Sequence, residues 1–325
     1  MDLYMKFPEI ISDTDVSLFG CPLKWFRERC LCLKPLQYEY NENLTAGVAF
    51  AKGLELTRLH YIETGNVEEA LEKGKTHILE LMETEEEEDS LFGKRNLGYK
   101  TPIRVSQLLE EYLRQFPLDQ EYSPVPLTID GNKGIEHTIT AELPLKHPIT
   151  DKPLIFKGKF DMLGKTEMGT LAIFDEKVVK NLTKNDQKFY SVKSQFIGYS
   201  WLCQQEGYGD VNNVYVRACA ILKNEYKIAE YPIYITESMR KAWLSNLLET
   251  SLRFKSYFKV QSKNSTYFNP SFSSECNKYF TPCQYTNLCT GEDTETEYKQ
   301  ITWDKDTRKE IPLVDYKLAK TMPEN

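Results

Sequence analysis

The chain has 325 residues and a mass of 37.9 kDa, room for one elaborated domain or two at roughly 150 residues each. Its 41% hydrophobic and 27% charged residues exclude a wholly disordered chain, and no apolar run approaches the roughly 18 residues of a membrane-spanning helix. With 48 acidic against 41 basic residues the formal charge is -7, which excludes a non-specific nucleic-acid coat but leaves room for a local basic groove.

The opening residues, MDLYMKFPEI, contain neither a basic nor an apolar run, so no secretory leader and a reducing, cytoplasmic setting are expected. Cys21 follows in a turn-like GCP, ahead of the aromatic-basic run Lys24-Trp25-Phe26-Arg27. Phe50, Leu54, Leu56 and Leu59 predict a helix over residues 46–62, ended by Gly65-Asn66. A second helix is predicted over residues 67–82. It gives way to residues 83–89, six acids in seven positions, read as a solvated loop or frayed helix end. Residues 106–116 form a short helix with Leu108, Leu109, Tyr112 and Leu113 on its apolar side.

Three β-like segments come next, at 136–143, 153–163 and 170–179. The last two are joined across Gly164 and Gly169 as a hairpin. Residues 187–205 read as helix, 213–222 as an alternating strand, and 236–258 as a long amphipathic helix. From residue 262 the chain is polar, irregular and cysteine-bearing. There is no internal repeat. The order of elements predicts a mixed α/β core with helical and cysteine-bearing additions. It is expected as a single elaborated domain, with an N-terminal helical part (1–135), a core (136–260) and a C-terminal part (261–325).

The segment GKFDMLGKTEMGTLAIFDEKVV carries the chemistry. Side chains two apart on a strand share a face, so Asp175 and Lys177 point one way and Glu176 the other. A 153–163/170–179 hairpin brings Asp161 near Asp175. Two carboxylates and one ammonium then converge, a donor set suited to Mg²⁺ and to phosphodiester chemistry. Asp-x-Lys alone is commonest as a surface ion pair. Here Ala172, Ile173 and Phe174 precede it and Val178 and Val179 follow, and charges in so apolar a strand are costly without a role. Downstream, Gln195 and Tyr199 are four apart on one helical face. Lys180, Lys184, Lys188 and Lys193 form a basic patch suited to DNA phosphates.

In order, Gly158-Lys159-Phe160-Asp161, Asp175-Glu176-Lys177 and Gln195 with Tyr199 resemble the motifs of the PD-(D/E)XK nuclease superfamily, RecB-like branch. The similarity is greatest to bacteriophage members with a C-terminal cysteine cluster. The resemblance implies a restriction-endonuclease-like mixed sheet flanked by helices. It implies a Mg²⁺- or Mn²⁺-dependent deoxyribonuclease, an exonuclease on single strands or duplex ends, in phage or bacterial DNA recombination or repair and hence in a bacterial cytoplasm. Asp161 and Asp175 would bind the ion with the backbone carbonyl of Glu176, and Lys177 would be the catalytic lysine, assisted by Gln195 and Tyr199. The family places a histidine four residues after a glycine on an upstream helix. After Gly53 that position is Thr57, and His60, one turn on, is the remaining candidate ligand. The departure keeps open an alternative, a DNA-binding or scaffold subunit with weak cleavage.

Eight cysteines occur, at 21, 30, 32, 203, 219, 276, 283 and 289. Cys276, Cys283 and Cys289 lack one ligand of a four-cysteine site, and Cys21 can supply it, with Cys30 and Cys32 as alternatives. Iron–sulfur members of the branch place one cysteine before the core and three after it, which implies a [4Fe–4S] cluster here. Zinc takes the same ligands, and a site without metal is the third reading. Cys203 and Cys219 lie within element patterns and read as core.

Overall fold

A computed structural model describes residues 5–35, 42–89, 98–129, 132–260, 267–278, 281–292, 298–303 and 310–312. In chain order it contains β1 (Ile10–Ser12), α1 (Asp13–Leu18), α2 (Pro22–Trp25), a π-helical turn (Phe26–Cys30) and β2 (Leu33–Pro35). Three helices follow, α3 (Glu42–Thr64), α4 (Val67–Asp89) and α5 (Pro102–Gln115). Next are the short β3 (Val125–Pro126), β4 (Thr128–Ile129) and β5 (Asn132–Lys133), then the long β6 (Ile135–Lys146), β7 (Pro153–Lys165) and β8 (Leu171–Val179). They lead to α6 (Asp186–Ser191), α7 (Ser194–Gln205), β9 (Asn213–Ile221), β10 (Tyr226–Tyr234) and α8 (Glu237–Val260). The remaining elements are β11 (Asn277–Lys278), β12 (Thr281–Pro282), α9 (Thr286–Thr290), β13 (Tyr298–Trp303) and β14 (Glu310–Pro312). The chain forms two compact units, one of Tyr40–Ile139 with Gly158–Ala242, the other of Met1–Glu39, Thr140–Lys157 and Trp243–Asn325.

The first of these units is built on a mixed sheet in the order β7-β8-β9-β10. β7 and β8 are antiparallel with Met162 opposite Phe174, β8 and β9 parallel with Asp175 opposite Val216, and β9 and β10 antiparallel. The sequence reading missed β10, whose YKIAEYPIY alternates poorly and contains Pro232. As the last strand in this order it tolerates a residue without an N–H. Helix α5 starts on the Thr101 side chain, which accepts from Arg104 N, with Pro102 in its first turn. Its Val105, Leu108, Leu109 and Tyr112 recur at helical spacing and are all fully buried. They join Phe50 and Leu54 of α3, Ile78 of α4 and Cys219 and Ile221 of β9 in one apolar cluster. Cys219 is core, as expected, and Cys203 is buried within α7.

Helices α3 and α4 cross at glycines. A Cβ on Gly74 would lie 2.0 Å from Thr57 Oγ1 and 2.7 Å from the Gly53 carbonyl oxygen. The acidic run is the end of α4, which continues to Asp89, the helix-end form of the expectation and not the loop. The single helix expected over 187–205 is two, α6 and α7, parted by an extended Lys193 (φ -73, ψ 124). No glycine or proline signals that break.

In the other unit β1 runs parallel to the start of β7, Ile10 opposite Ile155. Its core is aromatic: Phe7, Phe254 and Phe268 surround Trp25 with ring centroids 4.8–5.9 Å away. The Trp25 indole N–H donates to buried Asp15 (3.1 Å), which also pairs with Arg29 (2.6 Å). β2, β13 and β14 form a separate small sheet. Much of the C-terminal part expected to be irregular lies outside the described residues.

Candidate active site

Strand β8 places its triplet as the two-residue alternation requires. Asp175 is wholly buried; its Oδ1 accepts from Lys177 Nζ (2.8 Å) and from Gln195 Nε2 (3.2 Å). Gln195 Nε2 also donates to the Tyr199 hydroxyl (3.0 Å), so the four-residue spacing on α7 delivers both polar groups to one place. Asp161 arrives from β7. The β7–β8 register ends at Met162–Phe174, and just beyond it the Glu176 backbone N–H donates to Asp161 Oδ2 (2.8 Å).

The face presented by β7 changes at the same point. Phe160 packs at a tilt on Tyr199 of α7 (4.6 Å between centroids), whereas Met162, two residues on, belongs to the cluster under Leu59 and Ile62 of α3. The alternation is thus interrupted at Asp161. Gly158 completes this side. A Cβ there would stand 2.9 Å from the Tyr199 ring and 2.6 Å from Leu202 Cδ1, so the glycine of one motif is the clearance for the tyrosine of another.

The electrostatics of this side are unbalanced. Burial, then the neighbouring Asp175 charge, pushes the Asp161 carboxyl up to about 8. Burial raises Asp175 too, against the pull of Lys177. Lys177 is 26% exposed at its side chain; against the penalty of burial, Asp175 and Asp161 hold its ammonium above the ordinary lysine range. Asp175 Oδ2 is buried and lies 2.7 Å from that ammonium, with no second donor among the described residues. Two crowded carboxylates, one with a lone pair to spare, fit a hard cation that takes few protein oxygens and completes its shell with water and phosphate. Glu176 does not add a third carboxylate, and among the described residues no group of three or more His, Cys, Asp or Glu side chains is placed to hold a metal ion.

The Glu176 side chain instead enters a polar network on the opposite side of β8. Arg58 of α3 pairs with it (2.6 Å), and the Tyr112 hydroxyl of α5 donates to it (2.7 Å). Arg217 of β9 donates to the same hydroxyl (3.1 Å) and to Glu230 (2.8 Å). Against burial, Arg58 and then Arg217 hold Glu176 below its ordinary range. The sequence reading missed Arg58 and Arg217, and took Tyr112 for a purely apolar contact. Neither arginine stands in a local pattern that signals a buried partner.

The other expected residues fall elsewhere. His60 lies in a cleft between α3 and α4, with Nε2 3.1 Å from Glu69 and Nδ1 3.3 Å from Lys73, and no contact among the described residues joins it to Asp161 or Asp175. Thr57 is fully buried at the α3–α4 crossing, its hydroxyl donating to the Gly53 carbonyl (2.8 Å), where an imidazole has no room. Lys180, Lys184 and Lys188 are exposed on and before α6. Lys193 lies over the Phe196 ring at 5.7 Å and acts electrostatically on Asp175.

All eight thiols are free. In the other unit Cys21 and Cys289 lie within electrostatic reach of Cys283, but among the described residues no three cysteines are placed to hold a metal ion, so the expected four-cysteine site is not assembled here. The Cys283 N–H donates to the Cys276 carbonyl (2.8 Å). Burial pushes the Cys283 thiol up; a backbone hydrogen bond from Tyr285 and the Lys24 charge oppose this, while Cys21 and Cys289 raise it further. Arg27 donates to Cys289 Sγ (3.0 Å). Cys30 closes the π-helical turn and is fully buried, and Cys32 follows at its exit.

A mixed sheet flanked by helices, with Asp-x-Lys on a buried strand and a second aspartate from its antiparallel neighbour, defines a restriction-endonuclease-like core. The family model described as the PD-(D/E)XK nuclease superfamily matches residues 14–290, and the chain belongs to that superfamily. Among solved structures, the chain is similar to a candidate exonuclease from Eubacterium rectale at 14% identity and TM-score 0.44, over 88% of this chain and 89% of that one. It is also similar to a protein named SSO0001, at 14% identity and TM-score 0.37, over 89% of each chain. No curated protein matches it. No helix among the described residues is long and apolar enough to cross a membrane.

Proposed function

We propose that the chain is a metal-dependent deoxyribonuclease that hydrolyses phosphodiester bonds at DNA ends, as an exonuclease. The observation that carries this is the convergence of two buried, raised carboxyls, Asp161 and Asp175, on the single ammonium of Lys177. Asp161, Asp175 and the Glu176 carbonyl would hold Mg²⁺ or Mn²⁺, which when bound supplies a Lewis acid for the scissile phosphate and its attacking water. Lys177, kept charged by the two aspartates, stabilises the negative charge that develops on the phosphate. Gln195 fixes Asp175 through Oδ1, and Tyr199 fixes Gln195. Lys180, Lys184, Lys188 and Lys193 supply sequence-independent contacts to the DNA backbone.

The test is cleavage of end-labelled single- and double-stranded DNA with Mg²⁺, Mn²⁺ or EDTA. Asp175→Asn and Lys177→Ala are expected to lose about 10²–10³-fold in rate, the size of an electrostatic contribution to such a transition state. His60→Ala, whose contacts are Glu69 and Lys73, is expected to cut like the wild type. The proposal fails if the wild type cuts neither substrate or Asp175→Asn cuts equally well. DNA retention without cleavage would favour the binding-subunit alternative.

Cys21, Cys276, Cys283 and Cys289 are proposed as ligands of a structural [4Fe–4S] cluster, with Zn²⁺ as the alternative occupant. Support comes from Cys21 and Cys289 lying within electrostatic reach of Cys283, whose backbone N–H donates to the Cys276 carbonyl. Anaerobically purified protein should contain iron and acid-labile sulfide and be brown; zinc content without colour selects the alternative, and absence of both metals discards the site.

A further inference from the structure

We propose that the segment between Lys177 and Gln195 is a docking surface for unpaired nucleic-acid strand. Phe189 is the platform on which a base stacks, and Lys180, Lys184 and Lys188 receive the flanking phosphates. This rests on the nuclease reading and narrows its substrate to DNA whose bases are already unpaired, a single strand or a frayed end.

The six-residue α6 is tied down on one side only. Tyr190 is buried against Tyr231 (5.6 Å between centroids) and Phe196 (6.2 Å). Asp186 accepts from the Thr183 backbone N–H (2.7 Å) and from the Tyr231 hydroxyl (3.3 Å), and Gln187 donates to the Pro232 carbonyl (3.0 Å). With 186, 187 and 190 so anchored, Phe189 and Val192 point outward, 52% and 72% exposed. Phe189 meets Tyr190 edge-on at 5.5 Å. Two large apolar side chains this exposed and this close together are unusual beside an acidic protein's densest run of lysines.

The charge around them is one-sided. Lys180, Lys184 and Lys188 are exposed and make no salt bridge among the described residues. Asp186 is the one carboxylate between Glu176 and Glu206 in the sequence, and its oxygens are taken by Thr183 and Tyr231. The segment also borders the active site, since the Tyr190 hydroxyl lies within electrostatic reach of Lys177 and Asp175. A flat apolar ring set among cations fits a strand with free base faces. In a duplex those faces are covered by their neighbours and only groove edges are offered.

Binding of a fluorescein-labelled oligo-dT, an abasic strand of the same length and a blunt hairpin duplex can be followed by anisotropy in EDTA, where no metal-dependent cutting occurs. Phe189→Ala is expected to weaken oligo-dT about tenfold, the scale of one base–aromatic stack, while Phe189→Tyr keeps wild-type affinity. The abasic strand should bind the wild type about tenfold more weakly than oligo-dT and be indifferent to Phe189→Ala. The inference is overturned if Phe189→Ala leaves oligo-dT binding unchanged, or if the abasic strand or the duplex binds as well as oligo-dT. Because binding is read without cleavage, such a failure leaves the Asp175→Asn test standing. A wild type that binds through Phe189 but cuts nothing removes the nuclease reading alone.

Discussion

Two carboxylates one residue apart on β8 live in opposite electrostatic worlds. Glu176 faces Arg58, Tyr112 and Arg217 and is held below its ordinary range; Asp175 faces Asp161 and Lys177, with a weaker pull from Lys193, and is raised. Both are buried, so desolvation acts on each, and the difference is the number of cations and donors that answer it. On the Glu176 side the count closes within the protein. On the Asp175 side burial outweighs the cations at hand and both carboxyls stay raised, a cost that an added cation would relieve. Closed networks hold elements together, while an open one is a place for a ligand.

The largest effect should come from breaking the closed side. Arg58→Met leaves Glu176 buried without its main partner and is expected to cost about 3–5 kcal/mol of unfolding free energy, read by denaturant titration. Arg58→Met with Glu176→Leu should recover part of that loss, because no buried charge is then left unpaired.

A smaller loss, about 1–3 kcal/mol, is expected for Gly158→Ala, whose methyl group meets the Tyr199 ring and Leu202. As the shifted Tyr199 also holds Gln195 against Asp175, nuclease rate should fall more than the melting temperature suggests. Equal cleavage by this variant would show that the Gly158–Tyr199 packing does not position the site.

A change of pH separates the two sides without any substitution. Asp161 titrates in the folded chain near 8 against an ordinary 3.8, so metal-free protein binds that proton better folded than unfolded. Its contribution therefore turns unfavourable as pH rises above 3.8 and is fully unfavourable above about 8. The melting temperature of metal-free protein should fall across that window, and Asp161→Asn should flatten the slope. Added Mg²⁺ should raise it more at the alkaline end than at the acid end. Glu176 slopes the other way: its lowered value stabilises the fold above the ordinary 4.5 and the benefit is lost as pH falls through its folded value. A Mg²⁺ effect that does not change with pH would break the contrast.

The site was more legible in the sequence than the network behind it. Asp175 and Lys177 share a face because strand side chains alternate, and Gln195 and Tyr199 because a helix turns in 3.6 residues. Both follow from local geometry. His60 shows where local reasoning ends, since a helix face names a direction but not the neighbour met there. Arg58 and Glu176 are separated by 118 residues and no pattern near either announces the other. The α6–α7 break was likewise invisible, because Val192-Lys193 carries no residue that stops a helix.

By itself, then, the sequence determined the principal helices and strands other than β10 and the α6–α7 break, the carboxylates and lysine of one strand face, and the absence of a long apolar span. These depend on short-range periodicity, chemistry and composition, which every chain carries in its own order of residues. The tertiary structure alone decided that Asp161 meets the Glu176 backbone where the strand register ends. It decided as well that Gly158 makes way for Tyr199, that Thr57 fills a helix crossing and that Phe189 is left facing solvent. Each of these depends on which distant segments occupy the same space, and close packing allows only one answer at each point.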